Sequence, residues 1–107
     1  MTNEVFDITV ENRLKLIKEI LLRKRAEYAP NGGDRLHNFN RAAEMLRVTP
    51  EAALVGMWTK HIISILDIVD NLDNSVPSLE MIEEKIGDAI NYLILLEAML
   101  KDRWSLK

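Results

Sequence analysis

Two long segments with helical periodicity, joined by a short loop, constrain the fold of this chain most strongly. The first, residues 49–71, opens with Thr49 and Pro50, a hydroxyl N-cap followed by a proline at the first helical position. Its apolar residues recur at helical spacing: Leu54, Trp58, Ile62, Ile65 and Val69. The second covers about residues 78–103, after a loop over 73–77. Two helices with so short a connection are expected to pack antiparallel at the centre of a bundle.

Two shorter patterned segments precede this pair. Residues from about 9 to 28 carry one apolar helical face, formed by Val10, Leu14, Ile17 and Leu21. The proline and glycines in residues 29–33 should end this helix. Residues from about 34 to 46 form a further helix, and no alternating strand pattern is present. The sequence therefore predicts a single all-α domain over residues 1–107, a four-helix bundle-like fold with a flexible N-terminus over about residues 1–8.

The last predicted helix is apolar over more than one face. The residues responsible are Ile86, Ile90, Leu93, Ile94, Leu95, Leu96, Met99 and Leu100. A four-helix monomer covers only one face of each helix, and soluble monomers rarely leave a large second apolar face in water. We therefore expect a homo-oligomer, most simply a twofold dimer.

Composition narrows the function classes. The chain has no cysteine, which excludes disulfide scaffolds, thiolate zinc sites and cysteine nucleophiles. The N-terminus does not resemble a signal peptide, and no uncharged run approaches the ~18 residues of a membrane span, so we expect a cytoplasmic protein without a membrane partner. The net charge is −3, and the second half, residues 61–107, is the acidic one. Polynucleotide-binding chains are usually basic, so nucleic-acid binding is disfavoured.

The candidate chemistry lies on polar positions of the last two helices. Glu84, Asp88 and Asn91 follow one another at i, i+4 and i+7, so they share one helical face. Two carboxylates one turn apart offer the oxygen ligands that Mg²⁺ prefers, and their repulsion favours a nearby cation. That cation is either the metal or Lys60, which would form a structural lock between the helices. A solvated face is the third interpretation.

The preceding helix carries a matching polar patch. Lys60, Ser64 and Asp67 have the same spacing, and His61 stands beside Lys60. If the two helices pair, Lys60 and Asp67 are expected to face the acids of the last helix. His61 borders the apolar stripe, and a histidine at the edge of the core is the alternative to a ligand-binding one.

The stretch over residues 84–92, EKIGDAINY, resembles the acidic motif helix of MazG-like all-α nucleotide pyrophosphohydrolases. It is similar, more closely, to small phage-borne proteins of the nucleotide-modification-associated type, whose late helix carries Asp-x-x-Asn-Tyr. The stretches KRAEY at 24–28 and DRLHNF at 34–39 resemble the Lys-x-x-x-Tyr and Asn-Phe elements of the same phage families. The resemblance covers roughly residues 20–100.

This resemblance implies a Mg²⁺-dependent enzyme that releases pyrophosphate from a nucleoside triphosphate. Glu84 and Asp88 are carried over as catalytic residues, and both, with Asp67, as metal ligands. The residues implied to bind the nucleotide or another phosphate ligand are Lys60, His61, Asn91, Lys24, Tyr28, Arg35 and Asn38. The sequence departs from the family where Lys60 stands in place of the usual Glu-x-x-Glu, and Glu84 lies one position early.

Two functional hypotheses follow. The first is a phage-type nucleotide-binding protein, extending to a Mg²⁺-dependent pyrophosphohydrolase with a degenerate metal site. The second is a non-catalytic oligomeric phage accessory protein that retains the fold and fills the metal site with Lys60.

Overall fold

A computed structural model of the chain describes residues 1–23 and 34–106. Four α-helices lie in these residues: α1 (Asn3–Lys18), α2 (His37–Leu46), α3 (Pro50–Asp70) and α4 (Leu79–Ser105). A π-helical segment, Glu19–Arg23, continues α1. The described residues contain no strand, so the predicted all-α class is confirmed.

The starts of α3 and α4 are those expected from the sequence. The hydroxyl of Thr49 accepts a hydrogen bond from the backbone N–H of Ala52 at 3.2 Å, and Pro50 occupies the first turn. Ser78 caps α4 in the same way, accepting from the N–H of Met81 at 3.1 Å. Each cap satisfies a backbone donor that the first helical turn leaves without a partner.

The predicted start of the first helix was wrong. The helix begins at Asn3 rather than near residue 9, because the hydroxyl of Thr2 accepts from the N–H of Val5 at 3.2 Å and caps it. Most of residues 1–8, predicted to be flexible, is therefore helical. The second predicted helix also starts later than expected, at His37. It ends at Leu46, and the residue that caps it, Arg47, has a φ of 56° in the left-handed region and donates its N–H to the carbonyl of Ala43.

The chain divides into two compact units, Met1–Arg35 and Leu36–Lys107. In the second unit, α3 packs against both α2 and α4. Helices α3 and α4 are antiparallel, as predicted: Glu51 at the start of α3 pairs with Arg103 near the end of α4, with 3.0 Å between Oε1 and Nη2.

The buried core of the second unit is small for its helices. Its buried apolar residues are Phe39, Ala43, Ala53, Leu54, Ala89 and Met99, and Leu54 alone among the described residues has a large, fully buried side chain. Among the described helices, only α3 is long and apolar enough to cross a membrane by length and composition, a criterion that core helices of soluble proteins also meet.

Candidate functional site

The contact between His61 and Asp88 forms the centre of the candidate site. His61 Nδ1 lies 3.7 Å from Asp88 Oδ2, and the side chains are 23% and 41% exposed. At this separation the two groups attract each other electrostatically when the imidazole is protonated, but they lie beyond normal hydrogen-bond distance. The pair stands where α3 and α4 face each other, in a position that solvent and a ligand can reach.

The structure puts His61 where the sequence interpretation put Lys60. Neighbouring residues on a helix point about 100° apart, so only one of the two can face Asp88. The side chain of Lys60 is exposed, and within the described residues no ion pair joins it to an acid. The predicted lock between Lys60 and the acids of α4 is therefore not formed in this structure.

Tyr92 extends the site from the ion pair toward α2. Its ring meets the imidazole of His61 edge-on, with 4.7 Å between centroids, and meets Phe39 of α2 at 5.8 Å and 89°. Burial, and then the negative charge of Asp88, raise the pKa of Tyr92. The phenol therefore stays protonated near neutral pH and can donate a hydrogen bond. Sequence reasoning did not assign Tyr92 to the site, although it ends the Asp-x-x-Asn-Tyr stretch.

Asn91 carries an unusual buried oxygen. The residue is only 9% exposed, and its side-chain Oδ1 has no hydrogen-bond partner. A buried polar atom without a partner is rare in folded proteins, because it loses its hydrogen bonds to water and gains none in return. By helical spacing Asn91 shares a face of α4 with Asp88, one turn earlier. Because the oxygen is buried, a ligand that supplies a donor or a cation would satisfy it only after the side chains that cover it move aside.

Asp67 does not join the acids of α4. It lies instead at the loop end of the helix pair, on a cavity of about 590 Å³. The residues that line this cavity are Ser64, Asp67, Ile68, Asn71, Ser75, Pro77, Ser78, Met81 and Lys85. The antiparallel pairing explains the difference, because it sets His61 beside Asp88 and leaves Asp67, almost two turns later, beside Met81 and Lys85.

The residues predicted to bind Mg²⁺ therefore form no closed metal site. Glu84 is exposed, Asp88 faces His61, and Asp67 lies on the separate cavity. Within residues 1–23 and 34–106, no three His, Asp or Glu side chains are grouped so that they could hold a metal ion. Of the predicted set, the oxygen-bearing residues that share a face are Glu84, Asp88 and Asn91, all on α4.

The remaining predicted site residues are dispersed. Asn38 is exposed on α2, and Arg35 belongs to the N-terminal unit. Lys24 and Tyr28 lie outside the described residues. Of the nucleotide-binding set, Lys60, His61 and Asn91 lie on the helix pair that carries Asp88, and of these three His61 forms an ion pair with that acid.

A comparison of the chain with family models, with curated proteins and with solved structures found no match in any of the three.

Proposed function

We propose that this chain is a nucleotide-binding protein whose ligand occupies the face formed by His61, Asp88, Asn91 and Tyr92. One observation carries the proposal: the buried Oδ1 of Asn91 lacks a partner one turn from a carboxylate that faces an imidazole. A nucleobase amine or a ribose hydroxyl supplies the donor that this oxygen needs.

The neighbouring groups suit the other parts of a nucleotide. The protonated phenol of Tyr92 can donate to a phosphate or a sugar oxygen, and its partly buried ring can contact a base. Asp88 repels phosphate unless a positive charge lies between them. His61 supplies that charge when it is protonated, and otherwise a cation must accompany the nucleotide.

Hydrolysis is the narrower form of the proposal. It assigns Glu84 and Asp88 as catalytic residues and requires Mg²⁺, and it rests on the resemblance to all-α pyrophosphohydrolases. The structure gives no three-ligand metal group among the described residues, so we derive no step through the metal. Nucleotide binding stands without it. A cytoplasmic location stays a prediction of the sequence.

Calorimetry with the full chain tests the proposal. Each common nucleoside triphosphate is titrated into the protein at pH 6 and pH 8, with Mg²⁺ and with EDTA. We expect binding that weakens at least tenfold in Asn91→Leu and in Asp88→Asn. Asp102→Asn, an exposed acid on the same helix, serves as the matched control and should bind like the parent. A folded parent protein that binds no nucleotide at millimolar concentration under any of these conditions would refute the proposal.

The non-catalytic oligomeric accessory protein remains the second candidate. The observation that favours it is the amount of aliphatic surface that α3 and α4 leave exposed. The two candidates differ in outcome: an accessory protein would assemble without binding nucleotide, and its assembly would not change in the Asn91→Leu variant.

A further inference from the structure

Helices α3 and α4 each carry an exposed aliphatic stripe. On α3 the stripe comprises Val55, Ile62, Leu66 and Val69, and on α4 it comprises Ile82, Ile86, Leu93 and Leu100. Within each helix neighbouring positions are three, four or seven residues apart, which is one or two turns, so they share one face. Six of the eight are between 38% and 55% exposed, and the two isoleucines at 62 and 86 are partly buried. We call these eight residues the apolar hairpin face.

The two stripes lie on the same side of the helix pair. The indole of Trp58 donates to the carbonyl oxygen of Ala89 at 3.2 Å, and both residues lie between the His61–Asp88 contact and the stripe of their own helix. On each helix, the direction around the axis that leads from the His61–Asp88 contact to Trp58 or to Ala89 leads on to the stripe. Because the helices are antiparallel and face each other at that contact, both stripes come to lie on the same side of the pair. The apolar hairpin face is thus continuous across α3 and α4.

We infer that a second copy of this chain covers the apolar hairpin face, forming a twofold dimer with α3 and α4 of both copies at its centre. The inference is independent of the proposed nucleotide site, and it deepens the second candidate function, which rests on the same aliphatic surface. About half of each of six aliphatic residues is exposed, which makes a patch of roughly a few hundred Å² per copy. Specific interfaces begin near ~600 Å² per partner, so the patch would form the apolar centre of such an interface, and the polar residues around it would supply the remaining area.

Self-complementarity favours a second copy as the occupant, because an entirely aliphatic face matches its own equivalent about a twofold axis. Each chain carries a net charge of −3, so burial of this face must outweigh the repulsion between two copies. All eight residues of the apolar hairpin face are uncharged, which allows the same face of two copies to meet. A twofold axis then packs each helix pair against its equivalent, and the partner presents the same aliphatic surface.

Sedimentation velocity of the full chain between 1 and 100 µM tests the inference. The parent should sediment as a species of twice 12.3 kDa. Leu66→Lys and Leu93→Lys should each raise the dimer dissociation constant at least 100-fold, because each buries a charge in the contact. Val76→Lys is the matched control, because Val76 is 77% exposed and lies in the loop before α4. The dimer dissociation constant of this variant should equal that of the parent. Circular dichroism confirms that each variant is folded, and Leu66→Ser replaces Leu66→Lys if the charge unfolds the protein.

Several results would overturn the inference. A parent that remains a 12.3 kDa species at 100 µM would do so, as would folded Leu66→Lys and Leu93→Lys variants that stay dimeric. A lipid surface is the competing occupant, since α3 meets the length and composition of a membrane span. Co-sedimentation of the parent, but not of Leu66→Lys, with phosphatidylcholine vesicles would therefore replace the second copy by a membrane.

Discussion

The two sides of the α3–α4 pair differ in the kind of interaction that each leaves unsatisfied. On the side of the candidate site, α2 packs against α3, Phe39 contacts Tyr92, and the unsatisfied feature is one polar atom, the Oδ1 of Asn91. On the apolar hairpin face the backbone is fully helical, and the unsatisfied feature is an area of aliphatic surface. A missing hydrogen bond favours a small polar ligand, whereas missing apolar contacts favour a large partner. One helix pair can therefore carry both functions without competition between them.

The largest expected effect compares a leucine of the core with a leucine of the apolar face. Leu54→Ala removes the fully buried leucine and should lower the free energy of unfolding by about 3 kcal/mol, through lost transfer energy and the cavity left behind. Leu66→Ala, at a residue 53% exposed, should cost about 1 kcal/mol or less in dilute protein and more at high concentration. Urea unfolding at 1 and 100 µM measures both. A Leu66→Ala cost that does not change with concentration would contradict the assignment of this face to a dimer.

The second prediction concerns the polar side. Asn91→Leu replaces a buried amide whose oxygen has no partner, so the variant should be more stable than the parent by about 1 kcal/mol in the absence of ligand. The same variant should lose nucleotide binding, which is the usual exchange between stability and function at a ligand site. Thermal unfolding without ligand checks the sign. A large loss of stability would mean that the amide has a structural role and would weaken the ligand interpretation.

The sequence predicted what depends on local chemistry. Thr49, Pro50 and Ser78 determine where α3 and α4 start, and the short loop between these helices makes them antiparallel. The cap at Thr2 is equally local, but the prediction relied on the apolar pattern, which begins at Val10. The predicted start of the first helix was therefore too late in the sequence.

The rotation of the helices about their axes was not predictable from spacing alone. Whether Lys60 or His61 faces Asp88 depends on a turn of 100°, and packing around the core decides it, through residues such as Leu54 and Met99. For the same reason, spacing matched Asp67 with the acids of α4, while the observed register sets it beside Lys85. The candidate site could be predicted as a set of residue types on two helices, but its contacts could not.

A smaller effect is expected at the connection that holds α2 over the polar side. Arg47 adopts the left-handed conformation that favours glycine, and this conformation is unfavourable for a residue with a Cβ. Arg47→Gly should therefore stabilise the protein by about 0.5 kcal/mol, after the greater flexibility of glycine in the unfolded chain is subtracted. Arg47→Ala keeps the strain and should show no such gain. Since neither variant alters the apolar hairpin face, the dimer dissociation constant should not change.

The smallest effect should come from the ion pair that joins the far ends of α3 and α4. The hydrogen bond from Arg103 is the main cause that lowers the pKa of Glu51 below its ordinary value of 4.5. A carboxylate whose pKa is lower in the folded than in the unfolded chain stabilises the fold at pH values above 4.5, and this stabilisation is lost as the pH falls through the lowered pKa.

Because Arg103 is largely exposed, Glu51→Gln should lower the free energy of unfolding by only about 0.3 kcal/mol at pH 7. Urea unfolding of the two proteins at pH 7, 5 and 3 should show the difference shrinking only at the lowest pH. Both partners lie at the margin of the helix pair, so the variant should leave nucleotide binding unchanged. A difference that persists at pH 3 would show that Glu51 stabilises α3 through packing and not through its charge.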